Sequence, residues 1–260
     1  MSVNPLFLST AIEAVVRAGD LQLARFGGGI RVDKKSAIDL VTDVDVEIER
    51  MFRALVAGRF PDHDVLAEEF GDTGARGARH RWVFDPIDGT TNFAHGVPIF
   101  CASLALEIDG EAAVAAVYDP NRKELFTAEA GEGSWLNGER LAVSTHDRVI
   151  ESMLVTGFPY TVHQEAEKFL TVFGKVLKHA RAVRRLGSAA IDMCWVAAGR
   201  MDGFWEASLQ PWDTRAAALI LEEAGGTVTG MDGRKWIPED GHILATNGHI
   251  HDELLGILRS

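Results

Sequence analysis

Two aspartates, Asp85 and Asp88, stand three residues apart just after the apolar run at residues 82–84. The run predicts a short buried strand, and the Asp-Pro-x-Asp-Gly-Thr sequence that follows predicts a sharp turn. Gly89 allows the backbone of this turn to approach a ligand closely. Carboxylates are good Mg²⁺ ligands, and the amides and hydroxyls of such a turn can bind phosphate oxygens. Because Asp-Pro and Asp-Gly are also ordinary turn dipeptides, the segment alone allows either a plain turn or a metal and phosphate site.

Three further acids, Asp45, Glu68 and Asp213, lie far from this turn along the chain. Only the tertiary fold can bring Glu68 and Asp213 to Asp85, and carboxylates held that close repel one another until a cation binds between them. Asp45 also has a purely structural interpretation, because it falls in the first turn of a predicted helix, where the helix dipole favours a carboxylate.

Hard oxygen ligands without a cluster of cysteine and histidine favour Mg²⁺ over Zn²⁺. His249 and His251 are not predicted to form a zinc site, because two histidines alone do not satisfy zinc geometry. We therefore expect both to be ordinary surface residues. Cys101 and Cys194 stand in apolar stretches and are predicted to be buried, reduced thiols.

The composition is that of a soluble globular protein: 260 residues, 47% of them apolar and 25% charged. A net charge of −12 argues against non-specific binding to nucleic acid and is compatible with a cation site. The first residues lack the basic region of a signal peptide, and no apolar run approaches the length of about 18 residues that a membrane span needs. We therefore expect a cytoplasmic protein.

The pattern of elements predicts two parts with different topology. Apolar spacing predicts helices over residues 5–26 and 43–57, and an Asp-Gly pair joins two strand-like runs in a predicted hairpin at residues 100–118. The second half alternates strands and helices, which is typical of an α/β unit. We therefore predict a domain over residues 1–145 that is rich in antiparallel strands and a domain over residues 146–260 of α/β type.

Several separated motifs together resemble those of the inositol monophosphatase family, a group of Mg²⁺-dependent, lithium-sensitive phosphatases. The segment at residues 85–93 carries the strongest resemblance. The motif at residues 35–45, the acidic pair Glu68-Glu69, the Gly-Ser-Ala-Ala loop at residues 187–190 and the Trp-Asp motif at residues 212–213 follow the family order. The resemblance implies a mixed α/β fold, specifically a layered αβαβα sandwich, and a homodimer.

The resemblance also implies a site with two or three Mg²⁺ ions. Glu68, Asp85 and the backbone carbonyl of Ile87 would hold the first ion, and Asp85, Asp88 and Asp213 would hold the second. The mechanism it implies is direct attack by a metal-activated water, without a phosphoenzyme. The chain has no Cys-x₅-Arg nucleophile loop, and its two aspartates lack the Asp-x-Asp spacing of haloacid dehalogenases.

Further roles follow from the same resemblance. Thr90, paired with Asp45, would orient and deprotonate the attacking water together with Glu68 and the first metal. The amides of Gly89 and Thr90 would bind phosphate. On the substrate side the family positions match Asp88 and three further residues, namely Ser188, Ala189 and Glu206.

The favoured substrate is inositol monophosphate or a closely similar small polyol phosphate. Fructose 1,6-bisphosphate, histidinol phosphate and a nucleotide 3′-phosphate are the alternatives within the same chemistry. Thr91 stands where histidinol-phosphate members typically carry arginine, which argues against that substrate. An alternative of another class is a regulatory protein-binding member, since some bacterial relatives act on transcription through protein and RNA contacts.

Arg215 departs from the small residues that the family usually has after the Trp-Asp motif. Three interpretations are open: the side chain points to solvent, it pairs with an acid such as Glu222 or Glu223, or it contacts the substrate. The last would favour a more anionic substrate than inositol monophosphate. Lys34 and Lys35, after a run of glycines, are candidates for a phosphate contact.

Overall fold

The computed structural model describes residues 4–28, 31–34, 40–72 and 78–260. Their α-helices are α1 (Pro5–Arg25), α2 (Asp43–Arg59), α3 (Thr90–Ala94), α4 (Ala166–Leu177), α5 (Ala189–Ala197), α6 (Pro211–Glu223) and α7 (His251–Arg259). The strands are β1 (Val32–Lys34), β2 (Leu40–Thr42), β3 (Asp64–Ala67), β4 (Gly71–Asp72), β5 (His80–Asp88), β6 (Cys101–Ile108), β7 (Glu111–Asp119), β8 (Glu124–Glu129), β9 (Gly133–Leu136), β10 (Glu139–Arg140), β11 (Met153–Thr156), β12 (Ala182–Arg184), β13 (Gly203–Ala207), β14 (Thr227–Thr229) and β15 (His242–Thr246).

Five layers of helices and sheets alternate. Helices α1 and α2 cover one face of an eight-stranded sheet, and α5 and α6 cover its other face. The same α5 and α6 pack against a five-stranded sheet, whose far side carries α4 and α7. The predicted αβαβα sandwich is therefore confirmed.

The larger sheet is mostly antiparallel, in the order β10-β9-β8-β7-β6-β5-β3-β4. The predicted hairpin is present: Asp109 and Gly110, with φ of 55° and 85°, join β6 to β7. Only β3 and β5 pair in parallel. These two strands therefore direct their carboxyl ends, and the acids that follow or end them, to the same edge.

The smaller sheet has the order β12-β11-β13-β15-β14 and lies entirely after residue 152. Strand β11 pairs in parallel with both β12 and β13, while β15 is antiparallel to its neighbours. The larger sheet ends at residue 140, so the two sheets fall on either side of the predicted boundary. Because α6 packs on the larger sheet, the division at residues 145 and 146 stays a prediction.

Local predictions mostly match the structure, with shifts at the ends of elements. The Gly-Glu-Gly-Ser sequence at residues 131–134 predicts a turn, and this prediction is partly wrong, because β9 already begins at Gly133. The alanine- and leucine-rich sequence predicts a helix over residues 214–224, but α6 begins three residues earlier at Pro211, since proline is favoured in the first helical turn. Lys35 lies outside the described residues. No described helix has both the length and the apolar composition needed to cross a bilayer.

Candidate active site

The last residues of β5 place three predicted ligands, Asp85, Ile87 and Asp88, at the edge of the larger sheet. The pairing of β5 with β6 shifts register between Asp85 and Asp88, which marks an irregularity in the ladder. Within it, the Ile87 amide donates to Asp85 Oδ1 at 2.9 Å and the Thr90 hydroxyl donates to the Ile87 carbonyl at 2.9 Å. From α1, Gln22 Nε2 donates to the Pro86 carbonyl at 2.7 Å. The turn is thus held by bonds inside and outside it.

Gly89 is required at the head of α3. Its φ is +101°, and a Cβ built there would lie 2.9 Å from the carbonyl oxygen of Ile99. A side chain would therefore both strain the backbone and collide with the neighbouring loop. The result is a bare backbone that lines the cavity beside Thr90.

Asp88 joins the first half of the chain to α5. Its Oδ2 accepts hydrogen bonds from Ser188 Oγ at 2.7 Å and the Ala190 amide at 2.6 Å, and its Oδ1 accepts from the Ala189 amide at 3.2 Å. These amides belong to the first turn of α5, where an anion is favoured. Burial raises the pKa of Asp88 to about 6, although these hydrogen bonds act in the opposite direction. The predicted substrate residues Ser188 and Ala189 thus contact a predicted metal ligand.

Asp45 is fully buried in the first turn of α2. Its Oδ2 accepts from the Thr42 amide at 2.8 Å and from the Thr42 hydroxyl at 2.6 Å, while its buried Oδ1 has no hydrogen-bond partner. Burial, with a smaller contribution from Glu68, raises its pKa to about 7 despite the bonds to Thr42. The Thr90 hydroxyl bonds to the Ile87 carbonyl, and its pairing with Asp45 stays a prediction.

Glu68 follows the last residue of β3 and is half-buried. The turn that carries it is fixed by Glu49 of α2, a residue that the sequence analysis did not find. Glu49 accepts from the Glu69 amide at 2.7 Å and the Phe70 amide at 3.1 Å, and pairs with Arg53 at 2.7 Å. A buried acid on the core face of a helix gives no sequence signal for such a role.

Asp213 is held at the beginning of α6. Its Oδ2 accepts from the Gln210 amide at 2.6 Å, which completes a capping box at this helix end. Burial raises its pKa well above the usual range, and the charges of Asp88 and Glu68 act in the same direction. The cap therefore orients a carboxyl that the neighbouring acids repel.

Five acids from three distant segments line one cavity of about 580 Å³: Glu68, Glu69, Asp85, Asp88 and Asp213. Burial, then repulsion by Glu68, Asp88 and Asp213, raises the pKa of Asp85 well above its usual range. Among the described residues, no three acidic, histidine or cysteine side chains are grouped closely enough to form a complete metal site. The acids therefore line the cavity without forming a complete coordination shell. Oxygen donors with unbalanced negative charge fit a hard divalent cation such as Mg²⁺.

A second, smaller cavity of about 100 Å³ adjoins the first and shares Asp88 and Gly89 with it. Ser188, Ala189 and Glu206 line it together with Asp88, so all four predicted substrate residues lie together. Burial raises the pKa of Glu206 to about 8, and Arg185 counteracts that rise.

Arg215 pairs with an acid, as one of its three interpretations has it, but with an acid that the sequence analysis did not name. Its side chain is buried, with Nε 2.7 Å from Glu107 Oε1, and its Nη2 donates to the Gly110 carbonyl at 2.5 Å. The acid is therefore on β6 and is neither Glu222 nor Glu223, and the solvent-exposed interpretation is wrong. Arg215 lines neither cavity.

His251 is also not the surface residue that was predicted. It is buried, with Nδ1 at 2.9 Å from Thr246 Oγ1 and Nε2 at 3.0 Å from Thr229 Oγ1. Burial lowers its pKa. The histidine thus links α7 to β14 and β15. The two cysteines are buried and free, as predicted.

Comparison with known proteins agrees with this geometry. The model of the inositol monophosphatase family matches residues 5–260. The chain belongs to the inositol monophosphatase family. The family resemblance seen in the sequence is thereby confirmed, and membership supports a phosphatase.

Three relatives illustrate the range of the inositol monophosphatase family. The Nus factor SuhB of Escherichia coli strain K12 is 39% identical over 97% of this chain and 95% of its own length. The inositol monophosphatase structure from Anabaena is 39% identical, with a TM-score of 0.90 over 98% of this chain and 95% of that one. An IMPase/NADP phosphatase complexed with Mg²⁺ and phosphate is 25% identical, with a TM-score of 0.82 over 94% and 92%.

Proposed function

We propose that this protein is a Mg²⁺-dependent phosphomonoesterase that hydrolyses inositol monophosphate or a closely similar small polyol phosphate. The convergence of Glu68, Asp85 and Asp213 on one cavity carries the proposal. Acids from such distant segments, kept close against mutual repulsion, are what a divalent-cation site needs. The Anabaena inositol monophosphatase and the relative complexed with Mg²⁺ and phosphate support both parts.

The residues that would hold Mg²⁺ are Glu68, Asp85, Asp88, Asp213 and the carbonyl of Ile87. When bound, Mg²⁺ supplies positive charge that stabilises the phosphoryl oxygens and makes water easier to deprotonate. Two or three ions per site is the number that the family resemblance implies.

The chain itself would position and deprotonate the attacking water. Asp45 has a pKa of about 7 and one carboxyl oxygen without a hydrogen-bond partner. Such a group is suited to accept a proton near neutral pH. Thr90 would complete this function by reorienting its hydroxyl from the Ile87 carbonyl to the water. The amides of Gly89 and Thr90 would bind phosphate, which the helix dipole of the short α3 supports only weakly.

Recognition of the polyol would fall to the smaller cavity. Glu206 would accept a hydrogen bond from a substrate hydroxyl, and Asp88 with its partners Ser188 and Ala189 would form the floor below it. Buried acceptors discriminate strongly against ligands that lack the matching hydroxyl, because the acceptor is then left unpaired. An alkyl phosphate without hydroxyl groups should therefore be a poor substrate.

The test is phosphate release by the purified protein, with and without Mg²⁺. The panel is inositol 1-phosphate, fructose 1,6-bisphosphate, histidinol phosphate and 3′-phosphoadenosine 5′-phosphate. Mg²⁺-dependent release led by inositol 1-phosphate supports the proposal. Release led by another member keeps the mechanism and changes the substrate, and no release from any member rejects the phosphatase.

A second candidate function is a regulatory role, because the Escherichia coli relative at 39% identity is named a Nus factor. The acidic net charge argues for a protein partner rather than direct binding to nucleic acid. An Asp85→Asn variant separates the two roles: if it lacks phosphatase activity but restores growth of a deletion strain, the regulatory role is established. A homodimer is a further proposal that rests on the family resemblance, and a cytoplasmic location is one that rests on the sequence features described above.

A further inference from the structure

Glu68 is the predicted metal ligand with the weakest local support. It lies in the turn at residues 68–70, which joins β3 to the two-residue strand β4 at the edge of the larger sheet. Only two residue pairs connect these strands, and so short a hairpin does not hold its turn in place by itself. Asp88, by contrast, ends the inner strand β5 and is bonded to the first turn of α5. Asn92 fixes the loop before α5 by donating to the Leu186 carbonyl at 2.8 Å.

Glu49 of α2 supplies the support that the hairpin lacks. Its carboxyl is buried and accepts hydrogen bonds from the amides of Glu69 and Phe70, the two residues that follow Glu68. Hydrogen bonds from amides to an ionised carboxylate are among the stronger ones in proteins, and two consecutive amides on one carboxylate fix the backbone between them. A carboxylate buried this deeply needs a partner of opposite charge, and Arg53, one helical turn later, is that partner.

Arg53 extends the attachment to both strands of the hairpin. Its Nη2 lies 2.7 Å from Glu49 Oε1 and donates to the Gly71 carbonyl of β4 at 2.5 Å. Its Nη1 lies 3.5 Å from the Val65 carbonyl of β3. The guanidinium also lies 5.9 Å from the centre of the Phe70 ring, a cation–π distance. Both strands and the turn between them are thus attached to α2.

The same helix carries Asp45, the proposed base. Asp45 and Glu49 are four residues apart and both are fully buried, so they lie on the same face of α2. One rigid element therefore holds the base directly and the Glu68 turn through Glu49. A shift of this turn relative to α2 would change the distance between the first metal and the base.

We propose that Glu49, supported by Arg53, is a positioning residue that sets the Mg²⁺ affinity of the site by holding Glu68 in place. The inference rests on the proposed function, because it takes Glu68 as a ligand of Mg²⁺. Glu49 does not line the cavity and acts through the backbone of residues 69 and 70.

The test measures binding of Mn²⁺ to the metal-free protein by calorimetry, since Mn²⁺ accepts the same oxygen ligands as Mg²⁺. Glu49→Gln is compared with Glu107→Gln, which makes the same change at another buried carboxylate that pairs with arginine, on β6 and outside the cavity. Melting curves establish that each variant is folded at the temperature of measurement. If Glu49→Gln is not folded, Arg53→Gln takes its place, because it removes the contacts with both strands and keeps the Glu49 carboxyl.

We expect Glu49→Gln to weaken Mn²⁺ binding by about tenfold or more, the usual effect of losing a group that orients a metal ligand. Glu107→Gln should weaken it by less than about twofold, because the two sites share no partner. In assays of phosphate release, Glu49→Gln should need more Mg²⁺ for half-maximal activity and keep a kcat near the native value once Mg²⁺ is saturating. A merely destabilised protein would not show this division.

A double-mutant cycle determines whether the effect passes through Glu68. In a Glu68→Gln background, Glu49→Gln should weaken Mn²⁺ binding by less than about a further twofold, because the ligand that it positions is already gone. Full additivity of the two changes would overturn the proposal. Native affinity in Glu49→Gln, or equal weakening in Glu107→Gln, would overturn it as well.

Failure of this inference and failure of the proposed function give different results, because Mn²⁺ binding does not depend on turnover. Weaker binding in Glu49→Gln, without phosphate release by the native protein, would keep the inference and reject the phosphatase. Phosphate release by a protein whose Mn²⁺ affinity is independent of Glu49 would do the reverse. A native protein that binds no Mn²⁺ would overturn the inference together with the proposed metal site.

Discussion

Asp45 is the residue whose environment is best matched to proton transfer. Replacing it with asparagine keeps one oxygen for the two bonds from Thr42 and removes the carboxylate that would accept the proton in the proposed mechanism. We expect Asp45→Asn to lower kcat by about 10²- to 10⁴-fold, the usual contribution of a general base, with little change in thermal stability. The measurement is phosphate release at saturating substrate, alongside thermal unfolding.

The matched control is Asp43→Asn, which makes the same change in the same helical turn at an exposed position. It should keep nearly full activity. A loss of activity of similar size in both variants would show that the helix end, rather than the carboxyl of Asp45, matters for turnover.

Gly89 gives a second prediction at the residue scale. Gly89→Ala adds a collision with the Ile99 carbonyl to the strain of positive φ, whereas Gly96→Ala, at φ of +74° with open space around it, adds only the strain. The strain alone costs about 1–2 kcal/mol. We expect Gly89→Ala to unfold at a clearly lower temperature than Gly96→Ala and to lose most phosphatase activity. Equal effects on stability would contradict the close approach of the two loops.

At this scale the sequence identified the site acids but not the groups that hold them. The motifs that resemble those of the family named the acids that line the cavity. Glu49 and Asn92, which fix neighbouring turns, look like ordinary helix and loop residues until the fold brings their partners to them. A hydrogen bond across many residues leaves no local pattern.

At the scale of elements, Glu107 joins β6 to α6. Its carboxylate receives Arg215 at 2.7 Å and Arg81 at 2.7 Å, and both it and Arg215 are buried. Removal of Glu107 leaves the buried guanidinium with only the exposed Glu111 at 3.9 Å, while removal of Arg215 leaves Glu107 paired with Arg81. We therefore expect Glu107→Ala to destabilise by about 3–5 kcal/mol and Arg215→Met by clearly less.

Chemical denaturation measures both values. Arg79→Ala serves as the control, because it removes an exposed pair with Asp109 that is worth less than about 1 kcal/mol. Substrate preference should be the same in Arg215→Met as in the native protein. A changed preference would return Arg215 to the substrate site, and a larger loss in Arg215→Met than in Glu107→Ala would contradict the three-residue arrangement.

The elements themselves were largely predictable, because apolar periodicity marks α1 and α2 and the Asp-Gly pair marks the hairpin. The partner of Arg215 could not be predicted, because the sequence of α6 does not show which of the two sheets the helix packs on. Only the packing of α6 on β6 and β7 brings Glu107 to it. For the same reason His251 was predicted to be exposed, although two threonines from β14 and β15 surround it.

At the scale of the whole molecule, the buried acids make stability depend on pH when metal is absent. The pKa of Asp45 is about 7 in the folded state and near 4 when unfolded, so between these values the folded state binds more protons. Stability is therefore highest at low pH and falls as pH rises through 7. Asp88, with a pKa of about 6, acts in the same direction.

We expect the melting temperature in EDTA to be lower at about pH 8 than at about pH 5.5, with Asp45 alone contributing about 2 kcal/mol. Mg²⁺ should reduce the difference, because it stabilises the ionised acids. The melting temperature of Asp45→Asn should change less with pH than that of the native protein, and the melting temperature of Asp43→Asn should change as much as the native one. Identical slopes in all three proteins would show that Asp45 is not protonated in the folded state.

The layered architecture followed from the family resemblance rather than from physical reasoning on the sequence. Alternating patterns predicted an antiparallel part and an α/β part, but nothing in them orders two sheets around the shared layer of α5 and α6. That arrangement depends on which apolar face meets which, and both sheets offer apolar faces on both sides.

The bonds of Asp88 have a consequence for how this family could evolve. Asp88 uses both carboxylate oxygens to hold α5, whereas Asp45 uses only one in its helix cap. A descendant that gave up catalysis would still be selected to keep an acid at residue 88, but asparagine would serve as well at residue 45. Drift at position 45 beside a retained Asp88 is therefore the signature by which lineages that kept the scaffold and lost the chemistry can be recognised.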